Sequence, residues 1–183
     1  ARRIRSLDRV INTHPHPDHY GGLIYVLEHF PVKEVGVTGL DCASDETCRR
    51  FLNLAKNKSR ILSAESPPEN IHGATVEYMF PPTQAYEDDG PYSRWSLNDR
   101  SLSMKLSLGG CSILLPADGE KKAEKWEVEH ANLKADVLIT PHHGSRTSSS
   151  PAFLQAVSPA SAVVPVGRYN RFHLPSDDVI ERY

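Results

Sequence analysis

The residues best suited to chemistry lie close together in residues 13–22, which read THPHPDHYGG. Three histidines and one aspartate occupy six positions there: His14, His16, Asp18 and His19. Imidazole nitrogen and carboxylate oxygen suit divalent ions such as zinc and manganese. Two prolines reduce the conformational freedom that the segment loses when it is ordered around an ion. A bare pair of histidines two apart is more often a polar turn, but four donors at H-x-H-x-D-H spacing favour a metal site.

Potential metal ligands also follow two further strand-like stretches. Asp118 comes after the apolar run at residues 111–115, and His142 and His143 come directly after the run at residues 137–140. Alone, such an aspartate is more often a turn residue, and a histidine pair is more often surface or core. A dinuclear centre needs about six protein ligands, and a carboxylate such as Asp118 can bridge two cations. Together the three segments predict a centre of two divalent metal ions.

Length and composition fit one soluble globular domain over residues 1–183, with 39% hydrophobic and 24% charged residues. A net charge of −2 gives no global field that would attract nucleic acid, so such a role must be argued from the site. The three cysteines are odd in number and lack C-x-x-C spacing, which predicts free thiols, with Cys48 and Cys111 in the core. No apolar run approaches the roughly 18 residues of a membrane span.

Strand-like and helix-like patterns alternate along the chain, which predicts an α/β or two-layer α+β architecture. The helix over residues 120–130 is expected to turn its charges to solvent and to bury Ala123, Trp126 and His130. Residues 81–95 are turn-rich and are expected to form a surface loop over the site. The predicted strands lie at residues 9–12, 32–38, 60–63, 75–80, 102–108, 111–115, 137–140 and 162–166. Two predicted helices lie at residues 22–30 and 120–130, and three more are predicted to begin at Ser44, Pro151 and Ser176.

Blocks that carry a family resemblance run along most of the chain. They are LDRVINTH from Leu7, THPHPDHYGGL from Thr13, NDRSL from Asn98, ILLPAD ending at Asp118, ADVL from Ala135, PHHGSRTSSSPAFLQAV from Pro141 and VGRYNRF from Val166. With these blocks the chain resembles the metallo-β-lactamase fold hydrolases, and within them the C-terminal cytoplasmic metallo-hydrolase domains of the ComEC family of competence DNA-uptake proteins. HHGSRTSSSP is the most specific of the blocks. The resemblance implies an αββα sandwich that lacks its first strands and its C-terminal part, so the chain would be an internal piece of a longer protein.

The resemblance also implies a ligand set for two divalent ions, zinc or manganese. His14 and His16 would hold one ion, Asp18 and His19 would hold the other, and Asp118 would bridge them. Asp18 would in addition orient the attacking water or accept its proton.

One of His142 and His143 would complete the second ion's ligands, and the other would face a substrate oxygen; the resemblance does not say which. Hydroxyl and cationic side chains beside this pair are candidates for binding phosphate, although a capped loop and solvated charges explain them about as well. These candidates are Ser145, Thr147, the serines at 148–150 (Ser148, Ser149, Ser150), Arg146, Arg168 and Arg171.

The chain departs from the family pattern at several positions. Asn98 stands where many relatives supply a third histidine to the first ion, which implies a looser site or manganese, and we count Asn98 among the substrate-facing residues. His16 replaces an aspartate that is common in the subfamily. Pro116 and Ala117 replace the usual Thr-Gly before the bridging aspartate, and His173 does not match the family's Gly-His-Pro.

The expected function is metal-dependent hydrolysis of phosphodiesters by a nuclease domain that acts on DNA in a competence-type uptake system. The expected partners are DNA, single-stranded or duplex, and a membrane-channel domain of the same parent protein, with no nucleotide cofactor. The resemblance implies a cytoplasmic location, tethered to the bacterial inner membrane through a preceding region.

Two alternatives stay open. A non-catalytic domain that binds nucleic acid or docks on a channel is favoured by Asn98 and by the lack of basic surplus, while Asp18, Asp118 and His143 argue against it. A metallo-hydrolase of another ester or amide is the second alternative, because the fold also hosts lactam, thioester, lactone and phosphocholine ester hydrolysis.

Overall fold

A computed structural model describes residues 4–42 and 44–183. It contains two compact units, of which the first ends at Leu62 and the second covers Ser63–Tyr183. Each unit has a β-sheet with helices in its connections, and the predicted α/β class is confirmed. The prediction of a single domain over residues 1–183 stays a prediction. Among the described residues, no helix combines the length and the apolar character that a bilayer crossing requires.

The first unit is built on a parallel three-stranded sheet of order β1-β2-β3. Parallel neighbours need crossover connections, and helices α1 and α2 provide them. The elements are β1 (Leu7–Ile11), α1 (Pro17–His29), β2 (Val32–Val37), α2 (Glu46–Ala55) and β3 (Ser59–Ile61).

Helix α1 begins five residues earlier than the sequence pattern predicted. Pro17 occupies its first turn, where the fixed φ of proline suits a helix and its missing N–H is not needed. The buried face consists of Tyr20, Ile24 and Leu27. The difference matters for function because Asp18 and the histidine after it lie on the first helical turn rather than in the loop that precedes the helix.

Asp45 ties α1 to the start of α2. One carboxylate oxygen caps α2 by accepting from the N–H groups of Thr47 (2.9 Å) and Cys48 (3.0 Å), and the other accepts from the Tyr20 hydroxyl at 2.6 Å. The bond from Tyr20 lowers the pKa of Asp45. Cys48 also forms a disulfide with Cys42, so the prediction of free thiols is wrong for this pair.

The second unit has a six-stranded sheet of order β4-β5-β6-β7-β8-β9, antiparallel up to β7 and parallel from β7 to β9. The carboxyl ends of β7, β8 and β9 therefore meet at one edge of this sheet. The elements are β4 (Glu69–Ile71), β5 (Ala74–Phe80), β6 (Ser103–Leu108), β7 (Cys111–Leu115), α3 (Lys121–His130), β8 (Val137–Ile139), α4 (Pro151–Val157), β9 (Ser161–Val163) and α5 (Asp177–Arg182).

Two predictions of burial in the second unit are wrong. The predicted core strand at residues 162–166 is a shorter strand, β9, at the sheet edge, and all three of its residues are exposed. Cys111 is exposed where β7 begins, because the strand follows a tight hairpin turn at the surface.

Helix α3 buries two of its charged residues, contrary to the prediction of a solvated face. The Glu124 carboxylate accepts from the backbone N–H groups of Ser149 (2.5 Å) and Ser150 (2.9 Å), just ahead of α4. Glu127 is fully buried, and this desolvation raises its pKa to about 8. Trp126 is half-buried, and His130 is exposed with its ring stacked on Trp126.

Candidate metal centre

The first group of donors follows β1 and is shaped by the backbone. The N–H of Asn12 still pairs with Gly36 of β2 at 2.9 Å, and the Asn12 side chain donates to the carbonyl of His14 at 3.0 Å. The same carbonyl accepts from the N–H of His16 at 3.0 Å. These bonds close a tight turn in which His14 is completely buried. The turn therefore holds the two histidine backbones in place before any ion binds.

The three imidazole rings of this group converge. Nε2 of His14 lies 3.0 Å from Nδ1 of His16, and the His14 and His19 ring centroids are 4.1 Å apart. The Thr13 hydroxyl lies 3.1 Å from Nδ1 of His14 and 3.3 Å from Nδ1 of His19. A hydroxyl oxygen can accept from both Nδ1 atoms, and this arrangement turns the Nε2 atom of each ring away from Thr13.

Asp18 is the accessible member of the group. Its side chain is 61% exposed, and its Oδ2 lies 3.9 Å from Nε2 of His19, whose side chain is 17% exposed. Both side chains project from the first turn of α1. Asp18 can thus be reached by water while its neighbouring histidine is partly shielded.

The second group of donors lies in the second unit, where β7 and β8 end. Asp118 is 4% exposed, and its Oδ1 lies 3.7 Å from Nε2 of His143. Nδ1 of His143 lies 2.7 Å from the carbonyl oxygen of Pro165. A carbonyl only accepts, so Nδ1 carries a proton and the ring is held with Nε2 directed towards Asp118. This orientation makes His143 the better ligand candidate of the histidine pair.

His142 has a different environment. Its Nε2 lies 3.3 Å from Nδ2 of Asn98, and its Nδ1 lies 3.2 Å from the Thr147 hydroxyl and 3.4 Å from Oε1 of Glu120. The Asn98 amide donates from Nδ2 to Nε2, so the His142 proton lies on Nδ1 beside Thr147 and Glu120. Both nitrogens of His142 are therefore engaged by protein groups, which leaves His143 as the better ligand candidate.

The backbone of the histidine pair is strained. His142 (φ 48°) and His143 (φ 55°) both adopt the left-handed conformation, and Gly144 follows at φ 80°. Each non-glycine residue in this region costs about 1–3 kcal/mol and persists only where the surroundings enforce it. Here the Pro165 carbonyl holds His143, and a bond from the His142 N–H to the Ala117 carbonyl (3.0 Å) holds His142. This left-handed backbone directs the His142 and His143 rings towards different partners.

Gly144→Ala should therefore damage the centre. A Cβ at Gly144 would lie 2.5 Å from Cβ of Pro175, and its φ of +80° disfavours any side chain. We expect a loss of about 2–4 kcal/mol in the free energy of unfolding together with weaker metal binding, measured by denaturant titration and metal analysis. Gly109→Ala is the matched control, because Gly109 has φ +58° but open space around it, and it should cost only about 1 kcal/mol. Equal effects of the two substitutions would remove the steric argument.

The predicted phosphate-binding residues differ in accessibility. The hydroxyls of Ser145 and Thr147 lie 2.9 Å apart next to His142. Ser148 is completely buried, and its hydroxyl donates to the Gly119 carbonyl at 2.8 Å. Arg171 is exposed in the loop after β9.

Some groups that shape the site were missed by sequence reasoning. Thr13 stands beside the donor motif and could have been found from its hydroxyl and its position. Glu120 and the Pro165 carbonyl have no spacing signal, because they come next to the histidine pair only through the fold.

Comparison with known proteins gives a family match that covers most of the chain. Residues 1–168 match the Metallo-beta-lactamase superfamily. Competence protein ComA of Neisseria gonorrhoeae is 28% identical over 100% of this chain, and ComE operon protein 3 of Bacillus subtilis is 30% identical over 99% of it. The chain spans only 23% of the length of each of these two relatives.

A solved structure shows the same fold at low sequence identity. CmlA, a diiron β-hydroxylase from Streptomyces venezuelae, superimposes with a TM-score of 0.56 at 16% identity, covering 98% of this chain and 43% of CmlA. At this identity the likeness concerns the fold alone.

Proposed function

The chain belongs to the metallo-β-lactamase superfamily, and from this premise we propose that it is a metal-dependent phosphodiesterase that cuts DNA in a competence-type uptake system. Membership in this superfamily supports a metallo-hydrolase; the phosphodiester substrate is our proposal. The observation that carries the metal-dependent part is the pairing of Asp118 with His143, whose Nε2 is directed towards Asp118 by the bond of its Nδ1 to the Pro165 carbonyl. Such an outer hydrogen bond is typical of histidines that ligate a metal.

We further propose that the candidate donors ligate two divalent cations, zinc or manganese. The available donor atoms are imidazole nitrogens and carboxylate oxygens, which both ions accept. Nε2 of His14 and Nδ1 of His16 lie at hydrogen-bond distance, 3.0 Å, and a cation held by both rings would take the place of this bond. The proposed ligands are His14, His16, Asp18, His19, Asp118 and His143.

When bound, divalent cations lower the pKa of water towards neutrality and neutralise charge that develops on a phosphoryl oxygen. The exposed Asp18 carboxylate orients the attacking water and accepts its proton. The Nδ1–H of His142 would donate towards the phosphoryl or leaving oxygen in place of the Thr147 hydroxyl, and the Asn98 amide holds the ring in position through Nε2. Ser145 and Thr147 offer hydroxyls beside it for a non-bridging phosphate oxygen.

The proposed substrate and setting follow from similarity to competence proteins. The partners that we propose are DNA and a membrane-channel region of the same parent polypeptide, with the hydrolase domain on the cytoplasmic side of the inner membrane. Both relatives are much longer than this chain, so these assignments concern a whole protein of which the chain would be a part.

The proposal is tested by comparing substrates after reconstitution with zinc or manganese. We expect about two metal equivalents per chain, hydrolysis of a chromogenic phosphodiester and cleavage of DNA, with no turnover of a lactam or a thioester. Metal content is measured by plasma emission spectroscopy and turnover by absorbance. Hydrolysis confined to the lactam or thioester would overturn the phosphodiester assignment, and a chain that binds no metal would be a binding or docking module.

A further inference from the structure

A loop after β9 exposes two aromatic rings beside two arginines. Tyr169 is 88% exposed and Phe172 is 65% exposed. The Arg168 guanidinium lies 5.3 Å from the centroid of the Tyr169 ring, and that of Arg171 lies 4.8 Å from the centroid of the Phe172 ring. We call these four residues the aromatic–arginine loop. Each ring lies beside a cation, while much of its surface remains open to a ligand.

The loop has a fixed internal frame. The Asn170 side-chain amide donates to the carbonyls of Gly167 (3.0 Å) and Leu174 (2.8 Å), and its oxygen accepts from the Leu174 N–H at 2.8 Å. Three hydrogen bonds from one side chain thus close the segment on itself. The aromatic rings flank this closure, so a ligand that binds them meets a loop that is already folded.

Residues on both sides of the aromatic–arginine loop bond to the strained histidine segment. Before the loop, the Pro165 carbonyl accepts from the His143 ring at 2.7 Å. After the loop, the Ser176 N–H donates to the Gly144 carbonyl at 3.0 Å. The aromatic–arginine loop therefore borders the proposed ligand His143 within the second unit.

The local charge of this loop differs from that of the whole chain. Residues 164–175 contain two arginines and no acidic residue, whereas the net charge of the chain is −2. Within residues 4–42 and 44–183, neither Arg168 nor Arg171 forms an ion pair with a carboxylate. Both guanidinium groups can therefore pair with an incoming anion without first giving up a carboxylate partner.

We propose that the aromatic–arginine loop binds single-stranded nucleic acid, with bases stacked on Tyr169 and Phe172 and phosphates paired with Arg168 and Arg171. Alternating arginine and exposed aromatic residues are the chemistry of single-strand binding surfaces, because every base has a face that can stack. A duplex hides these faces between its base pairs, so the loop selects the unpaired strand. The inference rests on the proposed function in that it takes this strand as the substrate of the hydrolase.

Fluorescence anisotropy of the metal-loaded chain tests the proposal. The probes are a labelled oligothymidylate of about 12 nucleotides, a duplex of the same length and an abasic strand of the same length, all with phosphorothioate linkages that resist hydrolysis. We expect Tyr169→Ala and Phe172→Ala each to weaken single-strand binding by about 5- to 100-fold and to leave duplex and abasic binding nearly unchanged. Tyr169→Phe should retain most of the affinity because it keeps the stacking face.

Tyr25→Ala is the matched control. Tyr25 is 59% exposed on α1 and stacks on His29, outside the loop, so its removal should not change binding of any probe. The arginines are tested by salt dependence: Arg168→Gln and Arg171→Gln should each reduce the slope of log affinity against log salt by about 0.7.

Wild-type affinity in the Tyr169→Ala/Phe172→Ala double variant, or equal binding of the abasic and base-bearing strands by the wild type, would overturn the proposal. Hydrolysis of a small chromogenic diester does not need the loop and separates the two claims. Loop-dependent binding without diesterase activity would remove the proposed function and keep this inference. Diesterase activity with loop-independent binding would do the reverse.

Discussion

Asp118→Asn should abolish most of the hydrolytic activity while leaving the chain folded. The carboxamide has the shape of the carboxylate, but it lacks the negative charge that a bridging ligand supplies to two cations. We expect a loss of at least one metal equivalent and a fall in kcat/KM for a chromogenic phosphodiester on the order of 10³-fold. Because Asp118 is 4% exposed, the uncharged amide should not lower the stability of the metal-free chain.

Asp136→Asn is the control for that experiment. Asp136 also belongs to the second unit, but its carboxylate accepts from the N–H (2.7 Å) and the hydroxyl (2.8 Å) of Ser112. Its replacement should cost some stability and leave metal content and kcat/KM unchanged. If Asp118→Asn kept both metal equivalents and full activity, Asp118 would not be a ligand and the proposed centre would be wrong.

Glu127→Gln should make the chain more stable at alkaline pH. The pKa of Glu127 is raised from 4.5 to about 8, chiefly by burial, with the Ser103 hydroxyl opposing the shift and the nearby charge of Glu124 adding to it. Between these two pH values the folded state keeps a proton that the unfolded state has released, so stability falls as the pH rises. The loss through this window is on the order of 4 kcal/mol, and glutamine, which does not ionise, should avoid it.

Denaturant titrations of both proteins from pH 5 to pH 9 measure this effect as a difference, which cancels the titration of groups that the substitution does not touch. Glu129→Gln on the same helix is the control, because Glu129 is 53% exposed and pairs only with Lys125 at 3.9 Å. Wild type and Glu127→Gln are expected to converge at pH 5. A constant difference across the range would show that Glu127 is already ionised in the folded chain.

The candidate ligands could be found from the sequence because their signal is local. His14, His16 and His19 share one short motif, and Asp118 directly follows an apolar strand. Their relative orientation could not be found in this way. The choice between His142 and His143 depends on a backbone carbonyl 22 residues away, and backbone acceptors leave no trace in residue types.

The errors of the sequence predictions have physical causes. The start of α1 was missed because Gly21 and Gly22 suggest a loop, whereas the buried face with Tyr20 stabilises helix through both glycines. Glu124 and Glu127 were expected at the solvated surface because a pattern of polar residues along the chain does not reveal the hydrogen-bond partners that a buried carboxylate finds in the fold. The backbone N–H groups that satisfy Glu124 lie 25 and 26 residues further along the chain.

The exposed thiol of Cys111 makes the metal location measurable without changing a ligand. The other two cysteines are joined in a disulfide, so a thiol-reactive spin label attaches at one position in the absence of reductant. Cys111 begins β7, and Asp118 follows the carboxyl end of that strand. The five residues of β7 and the turn that follows it separate label and carboxylate by on the order of 15–20 Å. Manganese bound at Asp118 would then shorten the relaxation time of the label, and the size of that effect would report how far the ion lies from the hairpin.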